Sequence, residues 1–149
     1  MQFYPLSFDQ RHSANAYTTF SFQDKEGPWG FAPQVFQNSF ISLLFKYGSG
    51  YAYTYNPTRK RYETNLNNAR LPDVYTIDLQ SEKFFNLGKI KLGVFFEVYN
   101  LLNRENVRSV YSYTGLPDDS GEPESYEYVA DPLNYYPPRV FYLGVSLGI

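Results

Sequence analysis

The chain has 149 residues, enough for one ordinary domain, and carries a formal net charge of -2 at pH 7. This charge argues against a nucleic-acid partner, because nucleic-acid-binding domains present a basic surface. The chain contains no cysteine, which excludes a disulfide framework, a thiolate metal site and a cysteine nucleophile.

Aromatic residues are the most unusual part of the composition. Sixteen Tyr, thirteen Phe and one Trp make up 20% of the chain. Tyr and Trp suit surfaces with one apolar and one wet side, and membrane–water interfaces are the commonest such surfaces. No apolar run reaches the roughly 18 residues of a membrane helix, and residues 1–5 lack the features of a signal peptide. If the protein works outside the cytoplasm, we expect its export signal to lie upstream.

The hydrophobic pattern predicts strands, because apolar and polar residues alternate with a period of two. Each predicted strand has one apolar face and one face of small, polar or charged residues. The pattern is least regular in the second strand, where Phe40 and Leu44 lie opposite Leu43. Alternation alone does not separate a soluble sandwich from a membrane barrel. The five predicted strands are residues 14–22, about 35–47, 75–80, 90–99 and 141–149.

The lengths of the predicted connections alternate along the chain. A tight hairpin turn is predicted at residues 86–89 and a modest connection at 23–34. Residues 48–72 and 115–138 form two long connections rich in Gly, Asn and Pro. In an antiparallel sheet all the long connections then fall at one end, as in outer-membrane barrels. Loops longer than about 15 residues are usually functional.

The aromatic residues also separate by strand end. Two aromatic bands at opposite strand ends are typical of the girdles of a membrane barrel. Near the long connections lie Tyr47, Tyr51, Tyr53, Tyr55, Tyr111, Tyr113, Tyr135 and Tyr136, and near the short ones lie Phe20, Phe22, Trp29, Phe31, Phe84 and Phe85.

Five strands are too few to close a membrane barrel, because bacterial barrels begin at about eight strands. An open sheet would leave two unpaired edges, which a bilayer does not tolerate. We therefore expect residues 1–149 to be part of a larger barrel, and we expect them to aggregate without the remainder.

Six short segments are informative in their order and spacing. They are Leu6–His12 (LSFDQRH), Tyr47–Tyr51 (YGSGY), Asn68–Asp73 (NARLPD), Ile77–Leu79 (IDL), Glu97–Val107 (EVYNLLNRENV) and Pro137–Arg139 (PPR). Together they resemble the C-terminal barrel region of TonB-dependent outer-membrane receptors. The resemblance extends from about Pro5 to Ile149, and the block Glu97–Val107 is its most specific part.

The resemblance implies a barrel of about 22 strands plugged by a separate N-terminal domain. These residues would form its last five strands, an antiparallel meander in the bacterial cell outer membrane. The implied function is energy-coupled nutrient uptake, with the TonB complex acting through the plug. The other implied partners are the remaining strands, the outer-membrane lipids and the barrel-assembly machinery. Importers of ferric siderophores, cobalamin, oligosaccharides and peptides share this scaffold, so the resemblance leaves the substrate open.

The last strand also resembles the segment by which the assembly machinery recognises barrels. Tyr142, Gly144 and Leu147 stand at the positions that the family's pattern requires. Ile149 departs from the pattern, because the family usually ends in Phe, and this departure bears on the efficiency of assembly.

The sequence predicts no catalytic, cofactor-binding or metal-binding residue. His12 is the only histidine, so a histidine metal cluster or an ordinary triad lacks parts. Asp78, Glu82 and Glu97 are interpreted as lumen-lining charges rather than a glycosidase-like pair. Residues 48–50 lack the Lys-Ser/Thr of a P-loop and are interpreted as a turn.

Two charged segments are interpreted as solvated loops. Residues 59–61 form a short basic run, for which contact with anionic lipopolysaccharide is the alternative. Residues 118–131 contain six acids, but their spacing does not match an EF-hand calcium loop.

Two other functions remain open at the level of sequence. The chain is alternatively a soluble β-sandwich carbohydrate-binding module, in which Tyr51, Tyr53 and Tyr55 stack on sugar rings. It is otherwise a smaller structural barrel or an adhesion protein. An enzyme is not expected, because no set of nucleophile, base and orienting group is visible.

Overall fold

The fold is all-β in the computed structural model, which describes residues 4–23, 36–60, 65–122 and 131–148. Within these ranges no helix is long and apolar enough to cross a membrane. One 3₁₀ helix, Pro132–Asn134, is present. The strands are β1 (Ser13–Phe22), β2 (Ser39–Gly48), β3 (Ala52–Tyr53), β4 (Ala69–Arg70), β5 (Val74–Leu87), β6 (Ile90–Tyr99) and β7 (Val140–Gly148).

The five long strands form one antiparallel sheet in the order β1-β2-β5-β6-β7. Each long strand therefore pairs with the next long strand of the chain, which confirms the predicted five-stranded meander. The short strands β3 and β4 form a separate antiparallel pair. The two long connections follow β2 and β6 and the short one follows β5, so the predicted alternation of lengths is also confirmed.

Several strand boundaries differ from the prediction. Strand β5 continues to Leu87, well beyond the predicted end at Gln80, because every residue from Leu79 to Leu87 pairs with β6. Strand β2 begins only at Ser39, after Asn38, whose φ of 51° interrupts an extended backbone. The predicted start of β2, most of the 23–34 connection, Trp29 and Phe31, and Ile149 lie outside the described residues.

The hairpin between β5 and β6 lies within the predicted turn. Leu87 pairs with Ile90, so that Gly88 and Lys89 form a two-residue loop. Gly88 has a φ of 66°. A positive φ at the first loop position is what a tight hairpin loop of this length requires, and glycine adopts it without a steric cost.

The chain divides into two compact units. The sheet unit comprises residues 15–46, 76–104 and 138–149, and the loop unit comprises residues 1–14, 47–75 and 105–137. In the described residues, Val98 of the sheet unit and Ala52 of the loop unit are the only buried hydrophobic side chains. The described part of each unit therefore lacks the apolar core of an ordinary soluble domain.

The register of β5, β6 and β7 separates the side chains of the sheet unit into two faces. In the apolar face, the cross-strand rows are Leu79–Val98–Phe141, Ser81–Phe96–Leu143, Lys83–Val94–Val145 and Phe85–Leu92–Leu147. In the polar face, the rows are Gln80–Glu97–Tyr142, Glu82–Phe95–Gly144, Phe84–Gly93–Ser146 and Asn86–Lys91–Gly148.

The apolar face is open along β7. Leu143 and Leu147 expose 77% and 74% of their surfaces, and Val145 between them exposes 68%. Nothing within the described residues covers these side chains, although burial of each would be worth about 1.5–3 kcal/mol. The sheet unit therefore does not gain the free energy that burial of these side chains would contribute to folding.

A glycine on the polar face accommodates an aromatic ring from the neighbouring strand. Phe95 of β6 lies over Gly144 of β7, and a Cβ at Gly144 would stand 2.2 Å from the Phe95 Cζ. Gly148 is four residues further along β7, and a Cβ there would meet nothing closer than 3.8 Å. An aromatic side chain that covers a cross-strand glycine helps to fix the register.

We expect Gly144→Ala to lower the free energy of unfolding by about 1–3 kcal/mol, because the Phe95 ring must leave a favourable rotamer. Urea titration measures this change, with Gly148→Ala as the matched control in the same strand. The penalty of Gly144→Ala should shrink in a Phe95→Leu background. Equal stability of the two alanine variants would contradict this account of the register.

Candidate functional site

The polar face of the sheet unit carries a chain of paired polar groups. Lys46 Nζ lies 2.8 Å from Asp78 Oδ2, and Asp78 Oδ1 accepts a hydrogen bond from the Asn100 backbone N–H at 3.0 Å. Gln80 Nε2 donates to Glu97 Oε1 at 3.1 Å. Glu97 Oε2 also accepts from the Tyr99 hydroxyl. Each of these carboxylates therefore already has partners.

These groups line an open groove of about 520 Å³. Asp78 and Glu97, predicted from sequence as lumen-lining charges, both lie in it, together with the exposed Tyr17 and Tyr99. Glu82 shares the same face but pairs opposite Phe95 and does not line the groove. Lys46 is about half exposed, so its ion pair with Asp78 contributes less than about 1 kcal/mol. The groove is an open surface with both polar and apolar lining, in which the carboxylates of Asp78 and Glu97 are paired.

The segments that carry the family resemblance bond to one another in the sheet unit. The Leu101 backbone N–H donates to Ile77 O at 2.7 Å, close to the Asn100–Asp78 contact. The Asn103 Oδ1 accepts from the Arg139 backbone N–H at 3.0 Å. Asn100 and Asn103 have φ of 52° and 51°, a left-handed conformation that asparagine tolerates better than most residues.

In the loop unit, too, polar contacts join the three separate segments of the chain that form it. Arg70 forms an ion pair with Asp9 and also donates to the carbonyls of Asp9 and Gly50, at 2.9 and 3.1 Å. Asp73 accepts from the Tyr47 hydroxyl at 2.8 Å and from the Gly50 N–H at 3.3 Å. Side chains thus position the loop backbone where an apolar core is missing.

Residues 48–50 form a close contact with the start of the chain. Ser49 exchanges two hydrogen bonds with the backbone of His12, at 2.8 and 2.9 Å. A Cβ at Gly50 would stand 1.6 Å from Leu71 O, so only glycine fits there. The sequence predicted a turn here, whereas Gly48 is the last residue of β2 and residues 49 and 50 follow it without a turn. His12 takes part in this contact through its backbone.

Asn106 is the most buried polar residue of the loop unit, with 1% of its surface exposed. Its Oδ1 accepts from the Tyr75 N–H at 3.1 Å, and its Nδ2 donates to Tyr75 O at 2.9 Å. Its own carbonyl accepts from the Tyr136 N–H at 2.9 Å. The Asn106 side chain therefore bonds to the Tyr75 backbone N–H and C=O as a neighbouring strand would.

Three tyrosines form a ladder along an extended segment of the loop unit. Tyr51, Tyr53 and Tyr55 alternate with Ala52, which is buried, and Thr54, whose Oγ1 accepts from the Asn67 N–H at 3.0 Å. A Cβ at Gly115 would contact both Tyr53 and Tyr55, so these two rings lie on one side. Alternation about the Ala52–Tyr53 strand places Tyr51 on the same side. Burial raises the pKa of the Tyr53 hydroxyl above its ordinary value, and the neighbouring Tyr55 raises it further. The Tyr53 hydroxyl is therefore a neutral donor at physiological pH.

A fourth ring, Tyr113, is held beside a paired arginine. The Arg59 guanidinium lies 4.5 Å from the centre of the Tyr113 ring. Arg59 also forms an ion pair of 2.7 Å with Glu122 and donates to Gly121 O at 3.2 Å. Arg59 and Lys60, predicted from sequence to be solvated, are both exposed. Arg59 is in addition engaged with the 113–122 segment, and Arg61 lies outside the described residues.

In the described residues, no group of three His, Asp or Glu side chains is placed to hold a metal ion. The acidic segment 118–131 lies partly outside these residues. No protein family, curated protein or solved structure matches the chain.

Sequence reasoning missed the asparagine contacts and the β3–β4 pair. The signal for the first was present, since three asparagines fall within residues 100–106, and asparagine can satisfy a backbone donor and acceptor together. Two-residue strands leave no alternation to detect.

We expect Asn106→Ala to lower the free energy of unfolding by about 2–4 kcal/mol, because it removes both hydrogen bonds between the buried Asn106 side chain and the Tyr75 backbone. Denaturant titration provides the measurement. Asn86→Ala, at an exposed asparagine in β5, should change stability by less than about 0.5 kcal/mol. A loss at Asn106 no greater than that at Asn86 would show that the two-point contact does not hold the loop unit.

Proposed function

We propose that the chain is part of the β-barrel of a TonB-dependent outer-membrane receptor, which takes part in energy-coupled nutrient uptake. The observation that carries this proposal is the apolar face of β5, β6 and β7, which is exposed along β7 and at the β5–β6 turn and lies opposite a face of polar groups bonded to one another. This arrangement is expected where lipid meets one face of a sheet and a wet lumen meets the other.

The exposed side chains of the apolar face support lipid as their surroundings. They form a continuous surface, since they occupy neighbouring rows across three strands. Soluble proteins seldom expose apolar patches above a few hundred Å². The most exposed members are Leu87, Ile90, Phe141, Leu143, Val145 and Leu147.

The open edges of the sheet support a partner made of further strands. β1 and β7 are the outermost strands, so each has one side with no neighbour among the described strands. Unpaired strand edges aggregate in water and are not tolerated in lipid. Closure with additional strands of a larger barrel would satisfy both edges, with the plug, and through it the TonB complex, as the other proposed partners.

The segments that carry the resemblance are joined by hydrogen bonds, which gives their residues a structural role. Residues Asn100, Asn103 and Asn106 of the block Glu97–Val107 position backbone rather than react. Residues with such a structural role serve the scaffold and not a particular ligand. Receptors that bind different ligands can therefore share this block of sequence. We propose no catalytic function, since the carboxylates of the groove are paired.

A soluble carbohydrate-binding module is the competing function, and the exposed Tyr51 and Tyr55 favour it. It requires the apolar face to remain in water. The two functions therefore differ in what surrounds Val145.

We expect Val145→Arg to destabilise the membrane-inserted protein by about 2–4 kcal/mol, because it places a charge on the lipid face. Ser146→Arg is the matched control, since the next residue of β7 lies on the polar face. The measurement is the inserted fraction of the full natural chain in lipid vesicles across a urea titration. If Val145→Arg remains monodisperse without detergent and as stable as Ser146→Arg, the membrane proposal is wrong and the soluble module replaces it.

A further inference from the structure

The tyrosine ladder, predicted from sequence as part of an aromatic girdle, belongs to the loop unit and not to the sheet whose apolar face carries the membrane proposal. Tyr51 and Tyr55 expose 37% and 36% of their surfaces, enough to present a ring and to stay anchored. At about 3.3 Å per residue, the ladder from Tyr51 to Tyr55 spans about 13 Å. It thus offers a row of aromatic faces rather than one enclosed pocket.

The backbone that carries the ladder is fixed at both ends. Tyr51 O accepts from the Leu71 N–H at 2.9 Å. At the other end Asn68 Oδ1 accepts from the Tyr55 N–H at 2.7 Å, and Asn68 Nδ2 donates to Tyr55 O at 3.0 Å. Asn56 N–H then donates to Ser112 O at 2.7 Å. Rings held on an ordered backbone lose little further entropy when a ligand binds.

Gly115 leaves room for the rings. Its φ is 76°, and a Cβ there would stand 3.0 Å from the Tyr53 Oη and 3.4 Å from Tyr55 Cε2. The 115–122 segment therefore passes close to the ladder, and Tyr113 is held nearby by Arg59. The surface offers aromatic faces with hydroxyl groups at their edges.

The two arginines beside the ladder are paired with carboxylates, which favours a neutral ligand over an anionic one. Arg59 is paired with Glu122, and Arg70 is paired with Asp9. An anionic ligand would have to break these pairs, whereas a neutral ligand would not. Sugar rings are neutral, present C–H groups to the negative face of an aromatic ring, and carry hydroxyls that bond to tyrosine edges.

We infer that Tyr51, Tyr53 and Tyr55 form a binding surface for a neutral, linear oligosaccharide, whose successive pyranose rings stack along the ladder. Tyr113 flanks this surface. The inference rests on the proposed function only for treating this glycan as the transported nutrient; the binding surface itself does not depend on the membrane.

The test is titration calorimetry of the full natural chain in detergent against four neutral hexasaccharides: an α-1,4-glucan, a β-1,4-glucan, a β-1,4-xylan and an α-1,6-mannan. We expect saturable binding of at least one. Tyr55→Ala should weaken it at least about tenfold, by analogy with the loss of one aromatic stacking partner. Tyr55→Phe keeps the ring and should stay within about threefold, and Tyr17→Ala, at an exposed tyrosine of the sheet unit, should have no effect.

Three outcomes would overturn the inference. They are binding of none of the hexasaccharides, equal binding by Tyr55→Ala and the parent chain, or ladder-dependent binding of haemin or an extended peptide in place of the sugars. If Tyr55→Ala does not fold, Tyr51→Ala decides, with the same tenfold expectation. Glycan binding combined with a neutral Val145→Arg would retain this surface and reject the membrane proposal, so the two failures are distinguishable.

Discussion

The register of β5, β6 and β7 is the constraint on which the rest of the sheet unit depends. Because side chains alternate along each strand, a slip of one residue would mix the two faces. Phe95 over Gly144 and the Leu87–Ile90 hairpin oppose such a slip at two points. The fixed register gathers the aliphatic side chains on one face and the Gln80–Glu97–Tyr142 row on the other. The separation of apolar from polar side chains on the two faces of the sheet is the basis of the proposed function.

The loop unit is stabilised differently, by side chains that bond to backbone. Arg70, Asp73, Ser49 and Asn106 each satisfy groups of a distant segment. No buried side-chain nitrogen or oxygen atom of the described residues lacks a partner. A polar network that is fully satisfied gives a definite conformation without an apolar core. Such a frame can hold a rigid row of tyrosines at its surface, which is the basis of the glycan inference.

The sequence predicted the elements whose pattern is local. The alternation of Ile90 to Tyr99 identified β6 at its observed bounds. The second half of β5 was missed because Glu82 and Lys83 interrupt the apolar pattern, and pairing with neighbouring segments keeps this part extended. The carboxylates of the groove were placed on the correct face, but their partners come from other strands, such as Lys46 for Asp78. Contacts between distant segments, above all those of Asn106, carry no periodic signal.

The most direct test of the central claim places a nitroxide label in turn at each residue from 141 to 147 except Gly144, where a side chain would displace Phe95. The sequence contains no cysteine, so single cysteines in β7 can be labelled selectively. In lipid vesicles, we expect residues 141, 143, 145 and 147 to be relaxed mainly by oxygen, and residues 142 and 146 mainly by a water-soluble nickel complex. Strong relaxation by the nickel complex at every position would show that water surrounds both faces, and would contradict the account.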